Sequence, residues 1–555
     1  MKYTAFRSIL LLLFVVLLSA CNKVPDHVKY IPKNAAFVVG IDTKELGKKM
    51  IWNALWGSDL LDDMKASMPD TGPIVKGLED AGLDVMNTLY IYSNVDFSFS
   101  NIEPFTMLVP LADEKKWEQF FSENFAGNTL QKNGAIKTVA MPDQLTIAWS
   151  KDILILQKRF SVFDSAGAAS AHTISKAFEV SKENIATDKR FKKLQTSGKD
   201  ITLWVNYDSY LSQPGNPITN AATGFSSVQK LWKNSAFALG VDFNNGKINA
   251  DALLYVSDML KESFSTSKFN HPDNKMIQQL PFQHRAIAMA VALPMEGLKR
   301  TLEATGFLGL MNMVLMEGGI SAEDIFQSFT GDMAVTINNV HTFPDTTTSL
   351  FTDTALSNYY KPSGTTTKSD YVYVMKIKDS KRFEKLFGYL QTVLELTPLE
   401  KDMYQIRSYD STYLLIQNNF VVLSNRQELG KNFVSGANSK LSEATTSAAI
   451  LSEKPYTFYL DVQQLLGGLM ADTTAAKNAE MREIKKLLRD ARINGGTLKN
   501  GAFEYHGELN FINQKEDALL QLLHLASKIE SLKPQEKEAA TSPNQVVPAI
   551  DSTHP

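Results

Sequence analysis

The 555-residue sequence contains a single cysteine, Cys21, which excludes disulfide bonds within the chain and zinc sites built on several cysteines. It also lacks an excess of charge of either sign, since 57 basic residues stand against 60 acidic ones. Without a basic excess, nothing indicates a nucleic-acid partner. No apolar run after residue 20 is long enough to cross a bilayer. Packing must therefore hold the fold together, and a hydrophobic content of 44% is ordinary for a globular protein.

The short motifs of common enzymes are missing as well. The eight histidines are widely spaced and none forms His-x-His or His-Glu-x-x-His, so no local zinc site is predicted. There is no Gly-x-Ser-x-Gly nucleophile elbow and no phosphate-binding loop. Two Ser-x-x-Lys matches, at Ser227–Lys230 and Ser265–Lys268, are as many as chance would give, and no Lys-Thr-Gly accompanies them. The sequence predicts no catalytic residue, no metal and no cofactor.

The N terminus carries an export signal. Lys2 and Arg7 precede an apolar run from Ile9 to Leu18, which is too short to span a membrane. The run ends in Leu18-Ser19-Ala20-Cys21, which closely resembles the bacterial lipoprotein signal. That resemblance implies that residues 1–20 are a signal peptide and that Cys21 is lipidated. We predict that residues 21–27 are a tether and that several acyl chains on Cys21 hold the protein on a membrane.

The rest of the sequence repeats one pattern. A strand, an aspartate that precedes a helix, and a helix with an apolar face at 105–125 recur 266 positions later at 371–390. Asn245-Gly246 recurs as Asn500-Gly501, and each pair predicts a tight turn between two antiparallel strands. Strands that alternate with helices and hairpins predict an α+β fold. We therefore predict two homologous halves, residues 28–265 and 275–531, each a largely antiparallel or mixed sheet with helices packed on one face.

Three further patterns carry a resemblance to a known family. They are the lipoprotein signal, the opening Tyr30-Ile31-Pro32-Lys33-Asn34-Ala35-Ala36, and Gly319-Ile320 leading to Asp324-Ile325 and Gly331-Asp332. The sequence resembles, over nearly the whole mature chain, a family of uncharacterised Bacteroidetes lipoproteins known as a domain of unknown function. The resemblance implies a duplicated α+β exported protein without an assigned activity, so it transfers no catalytic residue. Where the second half has Gly331-Asp332, the first half has Asn87-Thr88.

The second half differs from the first by an inserted loop, residues 341–370, which is rich in Thr and Ser. Asp345-Thr346-Thr347 and Asp353-Thr354-Ala355 fit the Asp-Ser/Thr-apolar pattern associated with O-glycosylation of exported Bacteroidetes proteins. Thr346 and Thr354 are therefore candidate modification sites. Further along, the apolar spacing over residues 479–492 predicts a helix. Residues 532–555 are polar and contain four prolines, which predicts a disordered tail.

Two classes of function remain open. The favoured one is a non-catalytic, membrane-anchored envelope lipoprotein that binds an envelope protein or a glycan, or has a structural role. Residues 22–25 contain no acidic residue of the kind associated with surface display, which predicts an outer-membrane protein facing the periplasm. The alternative is a hydrolase of cell-wall or other glycans with carboxylates from separate strands. A pair of carboxylates about 5–10 Å apart beside a cleft would favour the alternative.

Overall fold

The computed structural model describes residues 24–56, 80–93, 105–125, 127–141, 144–158, 174, 177–179, 183–211, 228–344, 365–407, 412–440, 448–470 and 479–532. The predicted signal peptide, Cys21, Thr346, Thr354 and the tail after residue 532 lie outside these residues. Within the described chain, no helix combines the length and the apolar character that a membrane crossing requires.

The described part of the first half contains ten strands, with helices on both sides of them. The strands are β1 (Phe37–Asp42), β2 (Thr88–Ser93), β3 (Phe105–Pro110), β4 (Leu130–Asn133), β5 (Ile136–Ala140), β6 (Leu145–Trp149), β7 (Ile153–Lys158), β8 (Ile201–Asn206), β9 (Ala236–Asn244) and β10 (Lys247–Tyr255). The described α-helices are α1 (Thr43–Trp56), α2 (Glu114–Asn124), α3 (Lys189–Gln195), α4 (Tyr207–Leu211) and α5 (Asp258–Phe264). Short 3₁₀ helices lie at Asp26–Tyr30, Ile185–Thr187 and Val228–Leu231.

Ten more strands lie in the described part of the second half. They are β11 (Arg285–Ala292), β12 (Phe329–Pro344), β13 (Thr365–Ile377), β14 (Leu396–Glu400), β15 (Met403–Ile406), β16 (Tyr413–Gln417), β17 (Phe420–Ser424), β18 (Tyr456–Asp461), β19 (Leu488–Lys499) and β20 (Ala502–Phe511). The described α-helices are α6 (Asn274–Gln278), α7 (Met295–Ala304), α8 (Phe307–Met316), α9 (Ala322–Ser328), α10 (Ser380–Val393), α11 (Gln427–Ser435), α12 (Val462–Leu469), α13 (Ala479–Leu487) and α14 (Ala518–Leu532). A 3₁₀ helix lies at Ala437–Lys440.

All of these strands join one antiparallel sheet, which confirms the α+β class. The order across the sheet is β4-β5-β6-β7-β3-β2-β1-β8-β9-β10 for the first half. For the second half it is β14-β15-β16-β17-β13-β12-β11-β18-β19-β20. The two orders correspond strand for strand. Pairing of β10 with β20 joins them at the centre of the sheet.

Local features that the sequence predicted occupy matching places in the two halves. Asp113 accepts hydrogen bonds from the backbone amides at the start of α2, and Asp379 does the same for α10. These caps satisfy amide groups that a helix N terminus leaves unpaired. The Asn-Gly turns close the β9–β10 and β19–β20 hairpins. Asn500 and Gly501 both have positive φ, as a type I′ turn requires.

The prediction that helices pack on one face of each sheet is wrong, because both faces are covered. On β3, Leu108 belongs to a core with Tyr90 and Trp204, whereas its neighbour Val109 packs against Trp117 of α2. Successive residues of a strand point to opposite faces, so these two cores lie on opposite sides of the sheet. The second half repeats this arrangement, with Val374 in one core and Phe383 of α10 in the other.

Three predicted boundaries also differ from the structure. The folded body begins inside the predicted tether, because the ring of His27 is buried against Tyr90 and hydrogen-bonded to the Thr88 carbonyl. Burial lowers the pKa of this imidazole below its usual value. The strands β12 and β13 extend into both ends of the predicted loop 341–370.

The helix predicted over 479–492 ends at Leu487, and its last residues form the start of β19. Leu488 and Ala491 are three positions apart, which is helical spacing, and pairing with strands on both sides overrides this local preference. Ala491 lies opposite Leu460 of β18 and opposite Leu509 of β20. As a strand, residues 488–492 form backbone hydrogen bonds with β18 and β20 at the same time, which a continued helix could not do.

Candidate functional site

A cavity of about 910 Å³ opens in the second half, where the β12–β13 ladder, the β17–α11 junction and α12 meet. A volume of this order suits a small-molecule or oligosaccharide ligand. Most of its lining residues have polar side chains, while apolar atoms contribute slightly more than half of the lining surface. The described residues around it are His284, Asn339, Val340, His341, Thr367, Lys368, Ser369, Asp370, Tyr371, Asn425, Arg426, Gln464, Gly467 and Gly468.

An irregularity in β12 shapes one wall of this cavity. The pairing register between β12 and β13 shifts between Asn338 and His341, and Asn339 has a φ of 49°. Asparagine tolerates this left-handed conformation better than most residues. The Asn339 amide donates to the backbone oxygen of His284 at 3.1 Å, which fixes the bulge against the turn before β11. Bulges of this kind redirect side chains next to functional sites.

Asp370 is the one carboxylate among the described lining residues, and its charge is already matched. Its Oδ2 accepts a hydrogen bond from Asn339 Nδ2 at 2.7 Å and one from Arg426 at 3.0 Å. Its side chain is only 13% exposed, whereas that of Arg426 is 53% exposed. Asp370 therefore holds Arg426 at the mouth of the cavity.

Asn425 fixes the neighbouring wall. Its Oδ1 accepts the Tyr371 amide at 2.9 Å, and its Nδ2 donates to the Ser369 carbonyl at 2.6 Å. The side chain thus acts as one more ladder partner for β13 beyond the end of β17. These two bonds place Ser369, Asp370 and Tyr371 along the cavity.

A histidine and a lysine project from the β12–β13 ladder. His341 donates from Nδ1 to the Asn339 carbonyl at 2.5 Å, which leaves Nε2 for a ligand, and its ring meets the edge of Phe343. Lys368 lies across the ladder with its ammonium 5.5 Å from the centre of the Phe343 ring. No described carboxylate pairs with Lys368, so its charge is open to the cavity and to solvent.

Two glycines of α12 form the opposite wall. A side chain at Gly468 would overlap the Val340 carbonyl oxygen, so only glycine lets the helix approach β12 this closely. The next residue back, Gly467, faces the cavity, and only the flexible end of Lys485 lies near its position for a side chain. The helix is thus packed closely against β12 at Gly468, whereas space remains beside Gly467.

A second polar cluster lies at the opposite end of β12. Lys376 is 2.5 Å from a carboxylate oxygen of Asp273, and Asp332 accepts a hydrogen bond from the Thr330 hydroxyl at 2.7 Å. Burial raises the pKa of Asp332 above its usual value. Burial acts in the same direction on Asp273, but hydrogen bonds from Lys376 and the Met276 amide outweigh it and lower that pKa. Two carboxylates with opposite shifts can divide acid and base roles.

A charged network crosses the central seam. His506 of β20 is 2.8 Å from Asp251 of β10, and Lys199 is 2.5 Å from both Asp251 and Asp242. Burial would raise the pKa of Asp251, but the hydrogen bonds from Lys199 and His506 lower it. Asp251 and His506 lie opposite each other in the ladder. This network links the two halves and lines no described cavity.

Cys21, Thr346 and Thr354 lie outside the described residues. The described residues contain no group of three or more side chains that could hold a metal ion. The sequence did not predict the cavity. Part of its signal is nevertheless visible there, since Lys368 and Asp370 belong to the predicted insertion 341–370.

Comparison with known proteins gives a family and little else. Among curated proteins none matches the sequence. Two crystal forms of TP0453 show partial similarity: form IV has 11% sequence identity and a TM-score of 0.25 and covers 43% of this chain and 82% of that chain. Form I has 10% identity and a TM-score of 0.23 and covers 41% and 78%. The model of a domain of unknown function, DUF4836, matches residues 28–519. This chain therefore belongs to the DUF4836 family.

Proposed function

We propose that this protein is a lipid-anchored envelope protein that binds a glycan in the cavity beside α12 without cleaving it. The observation that carries the proposal is the state of Asp370, the one described carboxylate in the cavity lining, which is engaged by Arg426 and Asn339. Glycoside hydrolysis generally needs two carboxyl groups, one on each side of the scissile bond. Hydroxyl, amide and imidazole groups remain to bind the ligand.

Location rests on the N-terminal sequence. The Leu18–Cys21 pattern supports lipidation at Cys21, and the absence of acidic residues at 22–25 supports an outer-membrane protein that faces the periplasm. Wild-type protein should partition into the detergent phase of a cell extract, and Cys21→Ala should not, because acyl chains supply the attachment. Equal partitioning of the two forms would contradict the anchor.

The binding function is tested with detergent-solubilised full-length protein and oligosaccharides released from the cell envelope. We expect a bound fraction that is recovered with unchanged mass. Gly467→Leu should abolish binding because the new side chain projects into the cavity where the ligand would lie, and Gly388→Leu is the matched control on α10, where a side chain meets open space. Shortened oligosaccharides would contradict a non-catalytic role, and equal binding by the two variants would contradict this site.

The hydrolase alternative is supported by the polar cluster at the other end of β12, where Lys376 binds Asp273 and the Thr330 hydroxyl binds Asp332. The pKa of Asp332 is raised and that of Asp273 is lowered, as separate acid and base roles would require. If shortened products form, Asp332→Asn should stop their formation, since the amide cannot transfer a proton. Products that persist in Asp332→Asn would exclude this pair as their source.

We also propose that the two halves are homologous and arose by duplication. The matching strand orders support this, as does the central seam. Asp251 and His506 are 255 positions apart, the same offset as the two Asn-Gly turns, and they face each other where β10 pairs with β20. A pairing in which equivalent residues meet is what the interface of a two-fold symmetric dimer would leave after fusion of its subunits.

A further inference from the structure

The described lining of the cavity beside α12 carries an unbalanced charge. Its described lining contains two permanent cations, Lys368 and Arg426, and one carboxylate, Asp370. Arg426 and Asp370 compensate each other at 3.0 Å, and Glu428 lies only at the edge of reach, 4.0 Å from Arg426. One positive charge, that of Lys368, is left without a described ionic partner. The described lining therefore carries a net positive charge.

Arg426 keeps donors for a ligand. A guanidinium has five N–H groups, and within the described chain its side chain contacts only Asp370 and Glu428. Because Asp370 anchors the group, little side-chain entropy is lost when an anion binds to the remaining donors. The neighbouring imidazole of His284 can donate to an anion as well.

The remaining lining suits hydroxyl groups. Thr367, Ser369 and Gln464 bring two hydroxyls and an amide, each able to donate and to accept. Polar groups that serve in both senses match a sugar ring, whose hydroxyls do the same. The set thus combines a site for one negative charge with partners for a polyhydroxylated body.

We propose that the cavity binds an acidic saccharide, one that carries a carboxylate or a phosphate, with the anionic group at Lys368 and Arg426 and the sugar hydroxyls at Thr367, Ser369 and Gln464. This rests on the proposed glycan-binding function and deepens it by naming the ligand class. Charge-assisted hydrogen bonds of this kind are the strong ones in carboxylate and phosphate recognition. The chemistry is shared by uronic acids and by phosphorylated sugars.

Calorimetric titration of the full-length protein with three probes tests the proposal. The probes are a disaccharide that contains glucuronic acid, a phosphorylated disaccharide, and the neutral parent disaccharide. We expect at least one charged probe to bind about tenfold or more tightly than the neutral one, and to weaken as salt is raised. The charged probe that binds identifies the source of the anion.

Lys368→Gln provides the site-specific arm. The side chain is exposed and has no described ionic partner, so the substitution leaves the fold intact. It should weaken the charged probe about tenfold and leave any binding of the neutral probe unchanged. Lys401→Gln, an exposed lysine in the β14–β15 turn, is the matched control and should change neither.

Two results obtained with probes that do bind would overturn the proposal. In one, the neutral probe binds as tightly as both charged probes, and Gly467→Leu abolishes the binding of all three probes. That result would support the glycan-binding function and contradict a preference for an acidic ligand. In the other, Lys368→Gln and Lys401→Gln behave alike with a charged probe that does bind, which places the anion elsewhere. Failure of every probe to bind would refute the acidic ligand, while the envelope-oligosaccharide experiment judges the binding function separately.

Discussion

Trp117 and Phe383 offer a quantitative check of the correspondence between the two halves. Each is the first large apolar residue of a helix capped by aspartate, and each is buried, with 6% and 4% of its surface exposed. Trp117 packs 6.1 Å from Trp149, ring centre to ring centre, and Phe383 packs 5.8 Å from Phe329. Replacing either by alanine leaves a cavity in a core, and such substitutions cost about 3–5 kcal/mol.

The two costs should differ in a direction that the structure sets. The Trp117 indole N–H is buried without a hydrogen-bond partner among the described residues. An unpaired buried donor costs about 1–3 kcal/mol, so its removal offsets part of the loss. We expect Phe383→Ala to lower the free energy of unfolding by about 4 kcal/mol and Trp117→Ala by about 3 kcal/mol or less. Trp117→Phe, which keeps most of the ring and removes the donor, should cost less than about 1.5 kcal/mol.

Urea unfolding followed by circular dichroism measures these differences through the shift in midpoint at constant slope. Met313→Ala on α8 is the control, because this side chain is 64% exposed and surface changes usually stay within about 0.5 kcal/mol. The reasoning fails if either core variant costs no more than the control. It also fails if Trp117→Ala is clearly more destabilising than Phe383→Ala.

Three further outcomes are expected. The hydrogen bond from Lys385, with those from Ser321, lowers the pKa of Asp324 from 3.8 to about 2. Because the pKa of Asp324 is lower in the folded state, its stabilisation is complete above about pH 4 and is lost as the pH falls toward 2. Asp324→Asn should therefore flatten the dependence of the free energy of unfolding on pH in that window. An unchanged dependence would contradict the assignment. Gly468→Ala should cost about 1–3 kcal/mol in urea unfolding because α12 must move off β12, whereas Gly467→Ala should cost less than Gly468→Ala. Native protein should exceed the Thr346→Ala/Thr354→Ala variant in intact mass by more than the two substitutions, and a difference equal to the substitutions alone would mean that the loop carries no glycan.

Much of the local structure could be read from the sequence because local chemistry determines it. The aspartate caps at Asp113 and Asp379 follow from backbone amides that only a nearby side chain can satisfy. The hairpin at Asn500-Gly501 follows from a turn that needs two residues with positive φ. The prediction of a helix over 479–492 is partly wrong because the decisive contacts are not local. Pairing with β18 and β20 overrides the local helix preference from Leu488 onward.

The sequence by itself thus determined the α+β class, the repeated order of elements and the core positions at Trp117 and Phe383, because periodicity and capping act within a few residues. Only the tertiary structure decided that helices cover both faces of the sheet, that β10 pairs with β20, and that a cavity opens beside α12. The cavity brings together His284, Lys368, Arg426 and Gly467, which are up to 183 positions apart. Such contacts depend on which strand edges and helix faces remain unpaired after the local elements form, and no short pattern in the sequence encodes that choice.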